Sequence, residues 1–125
     1  MELRRKEEVI DKLQQIIECV DVIIERSSGF HTEHDYLCSP TGMTILDSCI
    51  MRLQVIGEAI RAIDDLTDKE LLKMYSNIQW INAIGLRNII SHQYSNIDYT
   101  LIVDTINVDI LPIKNTCEEI ISNLK

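Results

Sequence analysis

Four residues in one short run carry side chains suited to chemistry at a phosphate. Arg87, Asn88, His92 and Tyr94 lie within Arg87-Asn88-Ile89-Ile90-Ser91-His92-Gln93-Tyr94. A guanidinium keeps its charge at any working pH, and its planar fork matches two phosphate oxygens. An imidazole titrates near neutral pH and can accept or release a proton. Together they supply charge stabilisation and proton transfer at one centre. On a helix, at about 100° per residue, Asn88 and His92 fall on one face a turn apart. Arg87 and Ser91 form the neighbouring ridge, Arg87 and Tyr94 nearly coincide, and Ile89 and Ile90 point elsewhere. Spacing alone leaves a plainer arrangement open. Arg87 would then pair with an acid such as Glu58, His92 would favour the C-terminal end of a helix dipole, and Tyr94 would sit at the edge of a core.

The rest of the chain must position these groups, and its apolar spacing is helical. Val9, Leu13, Ile16, Val20 and Ile23 alternate by four and three, flanked by Ile10, Ile17 and Ile24. That predicts a long helix over 2–27, stopped by Ser27-Ser28-Gly29. A loop of about ten residues is expected through Cys38. Ser39-Pro40-Thr41 reads as a helix start. Leu46, Cys49, Leu53, Ile56, Ile60 and Ile63 then give the stripe of a second helix. Gly57 inside it costs about 1 kcal/mol against Ala, which a close approach by another backbone would offset. Thr67-Asp68-Lys69-Glu70 has the form of a capping box and predicts a short helix over 68–75. A fourth helix is expected from Trp80, with Trp80, Ile81, Ile84 and Ile90 inward and the polar run at its end. Asp98 can cap a fifth, whose stripe is Ile106, Ile110, Ile113, Cys117, Ile120 and Leu124. Pro112 should kink or break it near 108–111. The expectation is a single all-α domain over 1–125: an up-and-down helical bundle of about four long helices plus one short one.

Composition narrows the function classes. The chain has 125 residues, 46% hydrophobic and 26% charged, with four Gly and two Pro, which suits long helices. No stretch approaches the roughly 20 apolar residues that span a bilayer, so no membrane partner is expected. The charged start, Met1 to Glu8, is unlike a secretory signal, and a cytoplasmic protein follows. Cys19, Cys38, Cys49 and Cys117 are scattered and read as reduced thiols. The net charge of −8 argues against a constitutive nucleic-acid binder; no DNA partner is expected, and a basic protein partner has room. His31, Glu33, His34, Asp35 and Cys38 cluster in one loop, but their spacing matches no common zinc pattern. Neither a metal nor a cofactor is expected.

Several segments, in order, resemble one family. They are Leu53-Gln54-Val55-Ile56-Gly57-Glu58-Ala59, then Ile78 to Asn88, then His92-Gln93-Tyr94 and Ile97-Asp98. They are similar to the HepT-like branch of the HEPN superfamily, and the likeness runs from the first helix to Leu111-Pro112. The resemblance implies a dimeric helical bundle with a shared cleft lined by Arg87 and His92. It implies a metal-independent endoribonuclease, the toxin of a type VII-like toxin–antitoxin pair. The partner would be a minimal nucleotidyltransferase antitoxin that transfers AMP to Tyr94. Asn88 would be a supporting polar neighbour. Glu58, in the family-like Ile56-Gly57-Glu58-Ala59 stretch, would either support the site by orienting Arg87 or lining the cleft, or form a structural salt bridge. Gln93 and Ser95-Asn96 depart from the family's commoner wording, which bears on how the partner meets Tyr94.

The residues suit that chemistry independently. RNA carries its own nucleophile, the 2′-hydroxyl, so an enzyme needs a proton acceptor, a proton donor and charge stabilisation. A two-fold dimer would bring a second His92 to share the proton transfers. Two other readings stand beside this one. One is a non-catalytic nucleotide- or RNA-binding HEPN module that regulates a partner nucleotidyltransferase; the other is a plain helical interaction protein.

Overall fold

The computed structural model describes residues 1–89 and 97–125. Among these the regular structure is helical, and the architecture is the all-α bundle expected. Helix α1 spans Leu3–Arg26 and buries Val9, Leu13, Ile16, Val20 and Ile23, the stripe read from the sequence. Gly29, at φ 88, takes the left-handed conformation that lets the chain turn away after α1. Helix α3, Pro40–Leu66, buries its predicted stripe from Leu46 to Ile63. Its start is as expected, with Ser39 Oγ accepting from the Gly42 amide at 3.0 Å and Pro40 in the first turn. Full burial of such a Leu or Ile contributes about 1.5–3 kcal/mol, so these two stripes supply much of the driving force.

The loop between them holds an element that the spacing did not suggest. Helix α2, Glu33–Leu37, is five residues long and begins with a capping box. Asp35 Oδ2 accepts from the amides of His31 at 2.8 Å and Thr32 at 3.0 Å, while the Asp35 amide donates to Thr32 Oγ1 at 3.1 Å. The opposite correction applies at Thr67. Thr67 closes α3 instead of opening a new helix, and its hydroxyl donates back to the Ile63 carbonyl at 2.8 Å. Asp68 and Lys69 follow in the left-handed region, at φ 53 and 62. Only a 3-10 turn at Leu72–Met74 forms where a short helix was expected. The last turn of α3 consumed the residues that a capping box would have used.

Helix α4 is short, Trp80–Gly85, and tightens into a 3-10 turn at Leu86–Asn88. Trp80 and Ala83 face the core as the first contacts of this segment, but Ile81 is 85% exposed rather than inward. Helix α5, Tyr99–Asp104, is capped by Asp98, whose Oδ1 accepts from the Leu101 amide at 3.1 Å. A π turn at Thr105–Asp109 joins it to α6, Ile110–Leu124. Pro112 has no amide to offer Val108, and the widened turn lies just ahead of it, where the break was expected. Helix α1 packs between α3 and α6, and Lys114 on α6 reaches Asp21 on α1 at 2.6 Å. Among the described residues, no helix is long and apolar enough to cross a membrane.

Candidate functional site

The site begins with how the chain reaches Arg87. The Trp80 ring amine donates to the Tyr75 carbonyl at 2.9 Å. Asn77 Nδ2 donates to Thr116 Oγ1 at 2.9 Å, and Asn123 Nδ2 to the Tyr75 hydroxyl at 3.0 Å. The last two bonds tie the segment before α4 to α6. From there α4 runs across α3 and meets it at Gly57. A methyl group on Gly57 would stand 2.5 Å from the Arg87 amide nitrogen and 3.1 Å from the carbonyl oxygens of Ala83 and Ile84. The close approach expected of a helix-interior glycine is therefore made by the segment that carries Arg87. One turn earlier on α3, Gln54 Nε2 donates to the Arg87 carbonyl at 3.4 Å.

Arg87 itself is half-buried at the middle of the 3-10 turn, and Asn88 is exposed beside it. Glu58 is exposed on α3 next to Gly57. Among the described residues the ion pairs are Arg4–Glu8, Arg61–Asp65, Lys73–Glu70 and Lys114–Asp21. Arg87 and Glu58 thus form no ion pair with each other. Among the described residues no carboxylate pairs with the guanidinium, a group whose planar fork matches the oxygens of an anion. His92 and Tyr94 lie outside the described residues, as does Ile90, which was expected to face inward.

A trough of about 960 Å³ opens beside Asn88 and Ile89. Its walls come from α4, α5, the π turn and the start of α6 with the residues that lead into α4 and α5, and include Ile78, Ile97, Ile102 and Pro112. Ile81, Leu101 and Val108 stand on it at 85%, 59% and 66% exposure. Apolar side chains of this size, grouped and open to solvent, mark an interaction surface.

Two of the other sequence candidates, Asp35 and Glu33, have structural work. In the loop at 31–38, Asp35 caps α2, Glu33 Oε2 accepts from the Thr100 hydroxyl at 2.8 Å, and the His31 carbonyl accepts from Asn107 Nδ2 at 2.8 Å. Three metal-capable side chains do not converge anywhere among the described residues. Cys19, Cys49 and Cys117 are buried, and loss of solvation pushes their thiols up, Cys117 to about 12. Such thiols stay protonated and act as core fillers. Sequence reading missed Gln54; its polar side chain amid an apolar helix was the available sign.

The family model for HepT-like ribonucleases matches residues 40–120, which include α3, the Gly57 contact and the whole polar run. Relatives align over a still longer stretch. The chain is 32% identical over 113 residues to a protein of Methanocaldococcus jannaschii named as a candidate RNase, MJ1380, with 90% of this chain and 96% of that protein covered. A candidate RNase of Caldanaerobacter subterraneus subsp. tengcongensis, TTE0752, is 26% identical, with 90% and 94% covered. A second M. jannaschii candidate RNase, MJ0125, is 31% identical, with 90% of each chain covered. No solved structure matches. With a family model covering most of its length and relatives aligned nearly end to end, the chain belongs to the HepT-like ribonuclease family of the HEPN superfamily.

Proposed function

We propose that this chain, as one HEPN-like domain over 1–125, is a metal-independent endoribonuclease. In this reading it is the toxin of a type VII-like toxin–antitoxin pair and works as a homodimer. The observation that carries the reading is the seating of Arg87. Its backbone is pressed onto α3 at Gly57, its guanidinium has no described carboxylate partner, and His92 follows five residues later. Arg87 binds the scissile phosphate through its fork and stabilises charge as it develops. A His92 imidazole takes the proton of the 2′-hydroxyl. The 2′-oxygen bonds to phosphorus, the bond from phosphorus to the 5′-oxygen breaks, and that oxygen receives a proton from the second subunit's imidazole or from water. The products are a 2′,3′-cyclic phosphate and a 5′-hydroxyl. Asn88 and Glu58 are supporting residues at the cleft. Support for the dimer comes from the exposed apolar trough adjoining Asn88.

Control falls on Tyr94. A minimal nucleotidyltransferase antitoxin passes AMP from a nucleoside triphosphate to the phenol oxygen and releases pyrophosphate. The new phosphodiester then competes for Arg87, and the nucleotide obstructs the cleft. Two assays test the proposal. Wild-type chain should cleave RNA in excess chelator, and His92→Ala should not; chelator-sensitive cleavage restored by added metal would contradict the mechanism. After co-expression with the nucleotidyltransferase, intact mass should rise by about 329 Da per AMP, and the gain should vanish in Tyr94→Phe. The same gain in Tyr94→Phe would mean that another residue is the acceptor.

A further inference from the structure

We propose that Gln54 is a positioning residue for Arg87, an inference that rests on the ribonuclease reading above. Two observations meet at one residue. Gly57 leaves room for the Arg87 amide nitrogen, where a side-chain carbon would come within 2.5 Å. Gln54, three residues earlier and therefore a neighbour on the same face of α3, donates to the Arg87 carbonyl at 3.4 Å. Both ends of the Arg87 backbone unit are thus set against α3. The side chain departs from a 3-10 turn, where an i→i+3 ladder gives poorer hydrogen bonds than an α-helix. Outside support matters there, because Arg87 must present its fork to a phosphate within a fraction of an ångström. A misplacement of about 1 Å can cost about 10²-fold in rate.

Gln54 does not touch the substrate in this account. It acts through the backbone of Arg87, whose fork meets the phosphate most strongly as charge develops, so its removal should slow the bound complex far more than it loosens binding. The test uses full-length chain and an RNA oligonucleotide, with Gln54→Met and Gln54→Ala. Met keeps the length and helix preference of Gln but has no donor. Both variants should lose about ten-fold in kcat, with KM within about two-fold and an unfolding midpoint close to wild type. Wild-type kcat in Gln54→Met would overturn the proposal, as would a loss confined to KM, which belongs to a residue that contacts RNA. A wild-type chain that cleaves nothing would instead overturn the ribonuclease reading, and the claim for Gln54 with it.

Discussion

The half-buried Arg87 guanidinium has no carboxylate partner among the described residues. In a chain of net charge −8, the attraction for a phosphate that the proposed function asks of Arg87 has to be local. On the proposed function, Arg87→Lys should recover little activity, because an ammonium cannot pair with two oxygens as the planar fork does. Steady-state cleavage assays on Arg87→Lys and Arg87→Ala would check this; near-wild-type rates in the lysine variant would count against bidentate binding. Asp35 offers a second residue-scale test. The His31 and Thr32 amides hold its carboxyl below the ordinary value of 3.8. A depressed folded pKa stabilises the fold fully above the unfolded value and loses that effect as pH falls through the folded one. The melting temperature of wild type should therefore exceed that of Asp35→Ala near neutral pH. The gap should narrow only as pH falls below 3.8. A gap that stays constant to low pH would show that the carboxylate charge plays no part in the cap.

Helix α3 is the element on which the account depends. Gly57→Ala would place a methyl carbon against backbone atoms that cannot rotate away. Overpacking of this kind typically costs about 1–3 kcal/mol, and denaturant titration should find that loss. At the other end of α3, Lys69 at φ 62 is in a conformation that favours glycine. Lys69→Gly should stabilise the chain by about 1 kcal/mol, since a left-handed residue with a β-carbon costs about 1–2 kcal/mol. No change in the denaturation midpoint would mean that Lys69 bears no strain. These elements also show what the sequence could disclose. The stripes of α1 and α3 were legible because a helix with one buried face repeats its apolar residues every three or four positions, as Val9 to Ile23 do. Gly57 was legible as a close approach, though its partner was not, because a single chain pattern does not say which segment crosses it. Thr67 misled because the same four residues can open one helix or close another, and the hydroxyl bond to Ile63 decided the matter. Ile81 was read as inward from a helix expected to be longer; a six-residue α4 buries only Trp80 and Ala83. The roles proposed for Arg87, Asn88 and Glu58 rest on motif order, since spacing alone also allowed an Arg87–Glu58 pair, which is absent among the described residues.

At the scale of the whole molecule, the proposed dimer has a surface to use. Ile81, Leu101 and Val108 are too exposed for the fold of one chain to need them there, and they border Asn88 and Ile89. Light scattering at micromolar concentration should give twice the chain mass of 14.4 kDa. Ile81→Asp combined with Val108→Asp should shift it to a monomer with its helical signal intact. A double variant that remains dimeric would move the interface elsewhere. On the proposed function, assembly would matter to the chemistry because one His92 per chain serves one proton transfer, and a symmetric cleft would bring two. The central claim is that Arg87 belongs to a ribonuclease site. Its most direct test is single-turnover cleavage of an RNA oligonucleotide by wild type and Arg87→Ala, in excess chelator, with unfolding midpoints measured on the same samples. The account predicts cleavage by wild type, a loss of about 10²-fold or more in Arg87→Ala, and unchanged midpoints. Equal cleavage by the two proteins, or none by wild type, would contradict it.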